Sequence, residues 1–301
     1  MSSLPPLSLS ILGVEPLDEF IKEIADFIHH MIISRPDLPG NVEVEAKIGL
    51  LRERGGGRLS LPVLVETILT PDSIDCRFES NMTAVCMAIG LCNFVQDLHI
   101  SDHGLDSKKA QHKHFNTLLN ELKISSSQPG YASSSPLDYH HLRLVDSFYP
   151  SETNDREKIR VTRDEKSGAV IECMRKIRLG DLNIYSPKRS ADWRVSVNLE
   201  VPCSHPVGSS THQRKKDRMS YSHEEFNIDL TQVTSTNQSG TPEILHELEL
   251  EIARPALLLL TASKRGDMNA PENERNAFDE LIRAFVNNAR ILARNASDSW
   301  H

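Results

Sequence analysis

Two stretches far apart in the chain carry carboxylates at every second position. In Asn41–Gly49, Glu43, Glu45 and Lys47 share one face of an extended strand, and Val42, Val44, Ala46 and Ile48 share the other. Pro242–Ile252 repeats the pattern, with Glu247, Glu249 and Glu251 set against His246, Leu248, Leu250 and Ile252. Five carboxylates on two strands repel one another if the strands meet. Either water screens them or a cation sits between them.

The elements that hold these stretches follow from local periodicity. Phe20, Ile21, Ile24, Phe27, Ile28, Met31 and Ile32 recur at helical spacing behind Asp18 and Glu19, and Pro36 ends that helix. Gly55–Gly57 reads as a flexible loop, Ser73–Glu79 as a short strand, and Asn81 to about Leu98 and Lys108–Leu122 as helices. Ser125–Pro136 is Ser/Pro/Gly-rich and is expected to be a surface loop. From Leu142 onward strand follows strand. Lys158, Arg160 and Thr162 oppose Ile159 and Val161, and Asp164–Gly168 turns the chain into Ala169–Arg178. Asp192–Glu200 alternates without a break, Lys216, Arg218 and Ser220 share a face, and Asn227, Asp229 and Thr231 share another. Phe278, Leu281, Ile282, Phe285, Val286 and Ala289 trace a closing amphipathic helix.

Each strand has an apolar face and a charged face. An open antiparallel sheet with a solvated charged face explains any one of them. It explains the set less well, because acidic residues concentrate on the first and last strands and basic residues on those between. A closed barrel, covered outside by the apolar helices, turns both charge fields inward, one suited to a cation and one to a polyanion.

Composition narrows the function. The 301 residues hold 42 acidic and 34 basic side chains, a formal charge of −8, which argues against extended nucleic-acid binding but leaves room for a local basic pocket. The five cysteines have no paired metal spacing and read as reduced thiols of an intracellular protein. Met1–Ser10 lacks the pattern of a signal peptide, and Leu257–Leu260 is too short to span a bilayer, so no membrane role is expected.

With these residues in place the chain resembles the fungal-type mRNA-capping RNA 5′-triphosphatases, a branch of the triphosphate tunnel metalloenzymes. The two glutamate strands look like that family's signature strands. Between them Lys158–Arg163, Arg194–Glu200, Lys216–Tyr221 and Ile228–Thr231 follow in the family's order, and Ile11–Pro16 also matches. The resemblance runs from about Ile11 to Ala293 and rests on the whole ordered set, since a single Glu-Xaa-Glu is a weak motif.

That resemblance implies an α+β fold: a closed antiparallel β-barrel of about eight strands with flanking helices. It would occupy residues 11–301 as a single catalytic domain behind a short, loose extension at 1–10. It implies that Glu43, Glu45 and Glu251 ligate a divalent metal, Mg²⁺ or Mn²⁺, to which hard carboxylate oxygens are suited. Arg160, Lys216 and Arg218 would hold the terminal phosphate, and Glu200 would orient or deprotonate the attacking water. Lys47, Asp229, Thr231, Glu247 and Glu249 would support the tunnel. Asn227 departs from the pattern, which has an arginine there. The implied reaction converts the 5′-triphosphate end of nascent mRNA to a diphosphate end, the first step of capping. A nuclear homodimer is implied, with a guanylyltransferase and the phosphorylated tail of RNA polymerase II as partners. The extension at 1–10 is short, so no long arm for docking the guanylyltransferase is expected, and direct contact with that enzyme is left open.

No Cys-Xaa5-Arg signature is present, so no covalent phosphocysteine is expected. His29–His30, His112 and His114, and His140–His141 lack matching ligand clusters, and Gly55–Gly57 lacks the Lys-Ser/Thr of a P-loop. Trp193 and Tyr221 lie on apolar faces and are expected in the core, while Lys188–Arg189 and Arg214–Lys215 read as solvated charge or RNA contacts. Two other functions share the residues: a tunnel enzyme for free nucleoside triphosphate or polyphosphate, and a non-catalytic barrel that binds a cation or phosphopeptide.

Overall fold

The computed structural model describes residues 11, 18–70, 73–81, 103–130, 135–151, 157–236 and 241–296, with the backbone alone for 103–111. Ile11–Pro16 beyond its first residue, the extension at 1–10, and the helix expected from Asn81 to Leu98 therefore lie outside the described residues apart from Asn81. Helix α1 is Glu19–Ile33, and the Asp18 carboxylate accepts a hydrogen bond from the Ile21 amide at 3.2 Å, capping its first turn. The strands are β1 (Asn41–Glu53), β2 (Thr67–Leu69), β3 (Cys76–Glu79), β4 (Asp138–Pro150), β5 (Lys158–Asp164), β6 (Val170–Tyr185), β7 (Asp192–Pro202), β8 (His212–His223), β9 (Phe226–Thr236) and β10 (Pro242–Ile252). The remaining helices are α2 (His103–Ser126), α3 (Pro255–Lys264) and α4 (Glu272–Arg294).

The strands pair in the order β10-β9-β8-β4-β5-β6-β7-β1, and β1 pairs with β10 to close an antiparallel barrel of eight strands. Strand β3 extends β1 beyond the ring, and β2 pairs with β6. The barrel is apolar outside. Val42, Val44, Ala46 and Ile48 meet Val195, Val197, Leu199, Leu248 and Leu250 beneath the apolar stripes of α1, α3 and α4, where Ile24, Ile28, Leu258, Phe278 and Phe285 are fully buried. Each such side chain contributes about 1.5–3 kcal/mol on leaving water. This outer core holds the charged faces inward.

Several boundaries differ from the sequence-based expectation. Helix α2 runs through Ser126, so the expected loop begins later; the Ser126 hydroxyl accepts a hydrogen bond from the Leu137 amide at 3.0 Å. Strand β3 is shorter than Ser73–Glu79, and β6 is longer than expected, continuing past a register shift between Arg178 and Gly180. Helix α3 has no counterpart in the expected elements: Pro255 stands at its start, and the apolar Leu257–Leu260 run is part of it. Among the described residues no helix is long and apolar enough to cross a membrane. The turn at Asp164–Gly168 forms as expected, with Gly168 at φ +69° and the Asp164 side chain accepting from the Ser167 amide. Trp193 and Tyr221 are fully buried, Trp193 donating to Glu66 Oε1 at 2.8 Å.

One histidine of each pair has a structural partner. His29 contacts the Ala262 carbonyl, and His141 the Asp217 carboxylate. His112 of α2 meets His246 on the outside of β10, with Nδ1 atoms 3.1 Å apart. Burial, then the neighbouring His246, pushes His112 from 6.5 down to about 4. The unfolded chain therefore takes up this proton first as pH falls. Stability from the neutral His112 is complete above about pH 6.5 and is lost progressively toward pH 4. His112→Asn is expected to flatten the urea midpoint against pH across that window; an unchanged slope would assign the acid sensitivity elsewhere.

Candidate active site

The inward faces enclose a tunnel cavity of about 410 Å³. Of the twelve residues singled out from the sequence, all but Thr231 line it: Glu43, Glu45, Lys47, Arg160, Glu200, Lys216, Arg218, Asp229, Glu247, Glu249 and Glu251. Thr231 is fully buried and accepts a hydrogen bond from Arg218 Nε at 3.2 Å.

Closure of the barrel sets Glu45 opposite Glu251 and Lys47 opposite Glu249 across the β1–β10 seam. Lys47 Nζ bonds the Glu249 carboxylate and lies 3.3 Å from Glu45 Oε2. Burial alone would raise Glu249, but Lys47 and Arg218 outweigh it and hold the group down at about 2. Glu251 goes the other way. Burial and then the carboxylates of Glu43, Asp229, Glu45 and Glu200 push it up to about 8, and its neighbour on β9 is the neutral Asn227. Glu45 is also raised, first by burial.

A basic wall faces these carboxylates. Arg160 Nη2 donates to Glu172 at 2.9 Å and to Glu200 at 3.1 Å. Lys216 Nζ stands 2.6 Å from Asp146 Oδ2, and Arg218 Nη1 stands 2.7 Å from Asp229 Oδ2. Asp146 also accepts from the Thr162 hydroxyl at 2.7 Å, which fixes the carboxylate that fixes the lysine. Burial, reinforced by the cationic Arg218 and Arg160, pulls Lys216 below its ordinary range despite Asp146.

Residues not singled out from the sequence complete the site. Lys176 of β6 reaches between Glu43 and Glu45, bonding the first and lying 3.4 Å from Oε1 of the second. Asn198 donates to the same two carboxylates at 2.9 and 3.2 Å. Lys176 is hidden in the sequence because Arg175, Lys176 and Arg178 put charge on both faces of β6 and obscure its alternation. Asp146 lies between Val145 and Ser147 in a strand whose pattern carries no sign of a pairing. Asn198 is legible as an inward residue, but an amide gives no local hint of two carboxylate partners.

The donor set fits a hard divalent cation. Glu43, Glu45 and Glu251 offer carboxylate oxygens in a mutually repelling group, and the Lys176 ammonium seated between two of them shows that the position accepts positive charge. Lys176 holds Glu43 and Glu45, and among the described residues no three His, Cys, Asp or Glu side chains gather around one point as metal ligands.

Comparison with known proteins agrees with this architecture. Residues 14–103 and 100–298 match the family described as mRNA capping enzyme, beta chain. The mRNA-capping enzyme subunit beta of Schizosaccharomyces pombe is 34% identical over 98% of this chain and 87% of its own length. That of Cryptococcus neoformans var. neoformans is 31% identical over 96% of this chain, which spans 65% of that relative. The structure of S. pombe Pct1 RNA triphosphatase in complex with the Spt5 CTD superposes with a TM-score of 0.78 at 32% identity, covering 97% of this chain and 100% of that one. An eight-stranded tunnel walled by the two glutamate strands, matched along nearly its whole sequence, places this chain in the mRNA capping enzyme β-chain family.

Proposed function

We propose that this chain is a metal-dependent RNA 5′-triphosphatase, which removes the γ-phosphate from the 5′-triphosphate end of nascent mRNA in the first step of capping. One observation carries the reading: inside a closed barrel, Glu43, Glu45 and Glu251 face Arg160, Lys216 and Arg218 across a single cavity. A triphosphate needs both walls, because it brings several negative charges and moves charge as the bond breaks.

Arg160 and Arg218 present forked donors that match phosphate oxygens, and Lys216 adds a point charge. Each is already held by a carboxylate, so the donors are oriented before substrate enters. Glu200, tethered by Arg160, stands beside the phosphate-binding groups and orients or deprotonates the attacking water. Glu43, Glu45 and Glu251 would hold Mg²⁺ or Mn²⁺, which when bound polarises the phosphoryl group. Lys47, Asp229, Thr231, Glu247 and Glu249 brace the ligands and cations, and residues 11–301 act as one catalytic domain. The setting is nuclear, as a homodimer among the capping machinery, with the guanylyltransferase and the polymerase II tail as partners and a segment like the Spt5 CTD as a further one.

The decisive experiment is release of inorganic phosphate from triphosphate-ended RNA with Mg²⁺ or Mn²⁺, against a chelator control. One phosphate per end and a diphosphate product are expected. No release with either metal would overturn the proposal.

A further inference from the structure

The recess that opens from the cavity differs from it in charge. Glu247, Glu249, Glu251 and Asp229 line the tunnel alone, whereas Lys158, Lys176, Arg178 and Arg214 line both the tunnel and the open recess that continues from it. A single aromatic ring, Phe148 of β4, lines the tunnel among the described residues, and it does so at this basic mouth. His212 lies directly opposite it in the strand register and stacks on it, with planes 3° apart and centroids separated by 4.4 Å. The Arg214 guanidinium carbon is 5.2 Å from the Phe148 centroid. His212 is pushed below its ordinary range by burial and then by Lys158 and Arg214.

Cross-strand packing accounts for two rings in contact. It does not account for their place. Both rings line the recess beside two cations, Lys158 and Arg214, that have no acidic group within 4 Å among the described residues; Arg178 is paired with Asp181 at 3.1 Å, Lys176 with Glu43 and Glu45, and Glu157, the acidic group of the recess, with Arg175 at 3.0 Å. Aromatic faces beside cations that track a backbone are how single-stranded nucleic acid is held without regard to sequence. Trp193 and Tyr221, the other aromatics open to that role from the sequence, are buried in the outer core.

We propose that Phe148 and His212 form a nucleobase platform at the basic mouth, on which a base of the RNA stacks as the chain leaves the tunnel, with Lys158, Arg178 and Arg214 flanking its phosphates. The platform rests on the triphosphate-ended RNA reading and extends it. It binds the part of the substrate that does not react, and it distinguishes a nucleotide chain from bare polyphosphate.

The test uses the full chain and two substrates. For Phe148→Leu, KM for triphosphate-ended RNA is expected to rise about ten-fold, the order expected for losing one stacked base. KM for inorganic tripolyphosphate, which has no base, should stay within about two-fold, and Phe148→Trp should restore the RNA value. Equal shifts for both substrates, or none for either, would overturn the platform. A turnover-free measurement separates this from the reaction itself. A 5′-triphosphate oligoribonucleotide with 2-aminopurine near its 5′ end should lose fluorescence on binding the native chain and keep it with Phe148→Leu. Absence of quenching by the native chain rejects the platform even if phosphate is released. Quenching without phosphate release rejects the hydrolytic reading and keeps the platform.

Discussion

Glu251→Ala is expected to lower phosphate release by about 100-fold or more while the barrel stays folded, and Glu43→Ala should do the same. Glu251 faces Glu45 across the seam that closes the ring, so its carboxylate belongs to the acidic wall and to no ion pair closer than 4 Å among the described residues. Truncation removes a buried carboxyl group whose ionisation is opposed by burial and by the carboxylates around it. The melting temperature without metal should therefore hold or rise, unlike that of most core truncations. Circular dichroism melts measured beside the phosphate assay distinguish this from unfolding. Near-normal, metal-dependent turnover in either variant would remove these two carboxylates from the reaction. For Glu43 a smaller gain in stability is expected, because its loss also leaves Lys176 with Glu45 alone.

Asp146→Ala should damage both fold and activity. Asp146 is 1% exposed, and its two oxygens are taken by Lys216 and Thr162. Removing one partner of a buried ion pair costs about 3–5 kcal/mol, because the other charge is left without compensation. Here the abandoned group is a lysine already pulled down by burial and by Arg218, and losing Asp146 lowers it further and frees its ammonium to move. The proposed phosphate contact is weakened with it. Turnover is then expected to fall by at least about ten-fold even where the variant is fully folded. Asp146→Asn keeps the shape and removes the charge, and should lose activity with a smaller loss of stability. If Asp146→Ala unfolds no earlier in urea and turns over at the native rate, Lys216 does not depend on it.

Much of this site is legible in the amino-acid sequence, for a local reason. In β1 and β10 the side-chain period of two is unbroken, so residues sharing a face declare themselves, and Pro242–Ile252 forms as a strand with the bounds expected of it. The same holds for the inward residues of β5, β7, β8 and β9. Where periodicity fails, so does the reading. Strand β6 carries charges on both faces and shifts register near Arg178, which conceals Lys176. Helix α3 is a short apolar run whose residues do not alternate with polar ones, and apart from Pro255 at its start little in it separates a helix from a buried strand.

The sequence by itself determined which side chains would share a face, and that the acidic strands stand at the two ends of the strand series with the basic ones between. Tertiary structure alone decided what those faces meet. Whether the sheet stayed open, with its carboxylates in water, or closed to confront them with Arg160, Lys216 and Arg218 turned on the pairing of β1 with β10. That pairing is stabilised by helices α1, α3 and α4 burying the opposite, apolar face. The β6-β7-β1 succession seats Lys176 between Glu43 and Glu45, and the pairing of β4 with β8, strands far apart in sequence, brings Phe148 and His212 together at the basic mouth. A two-residue period reports the face of one strand; which residue lies across the barrel depends on the summed registers of eight strands, a property of the whole chain.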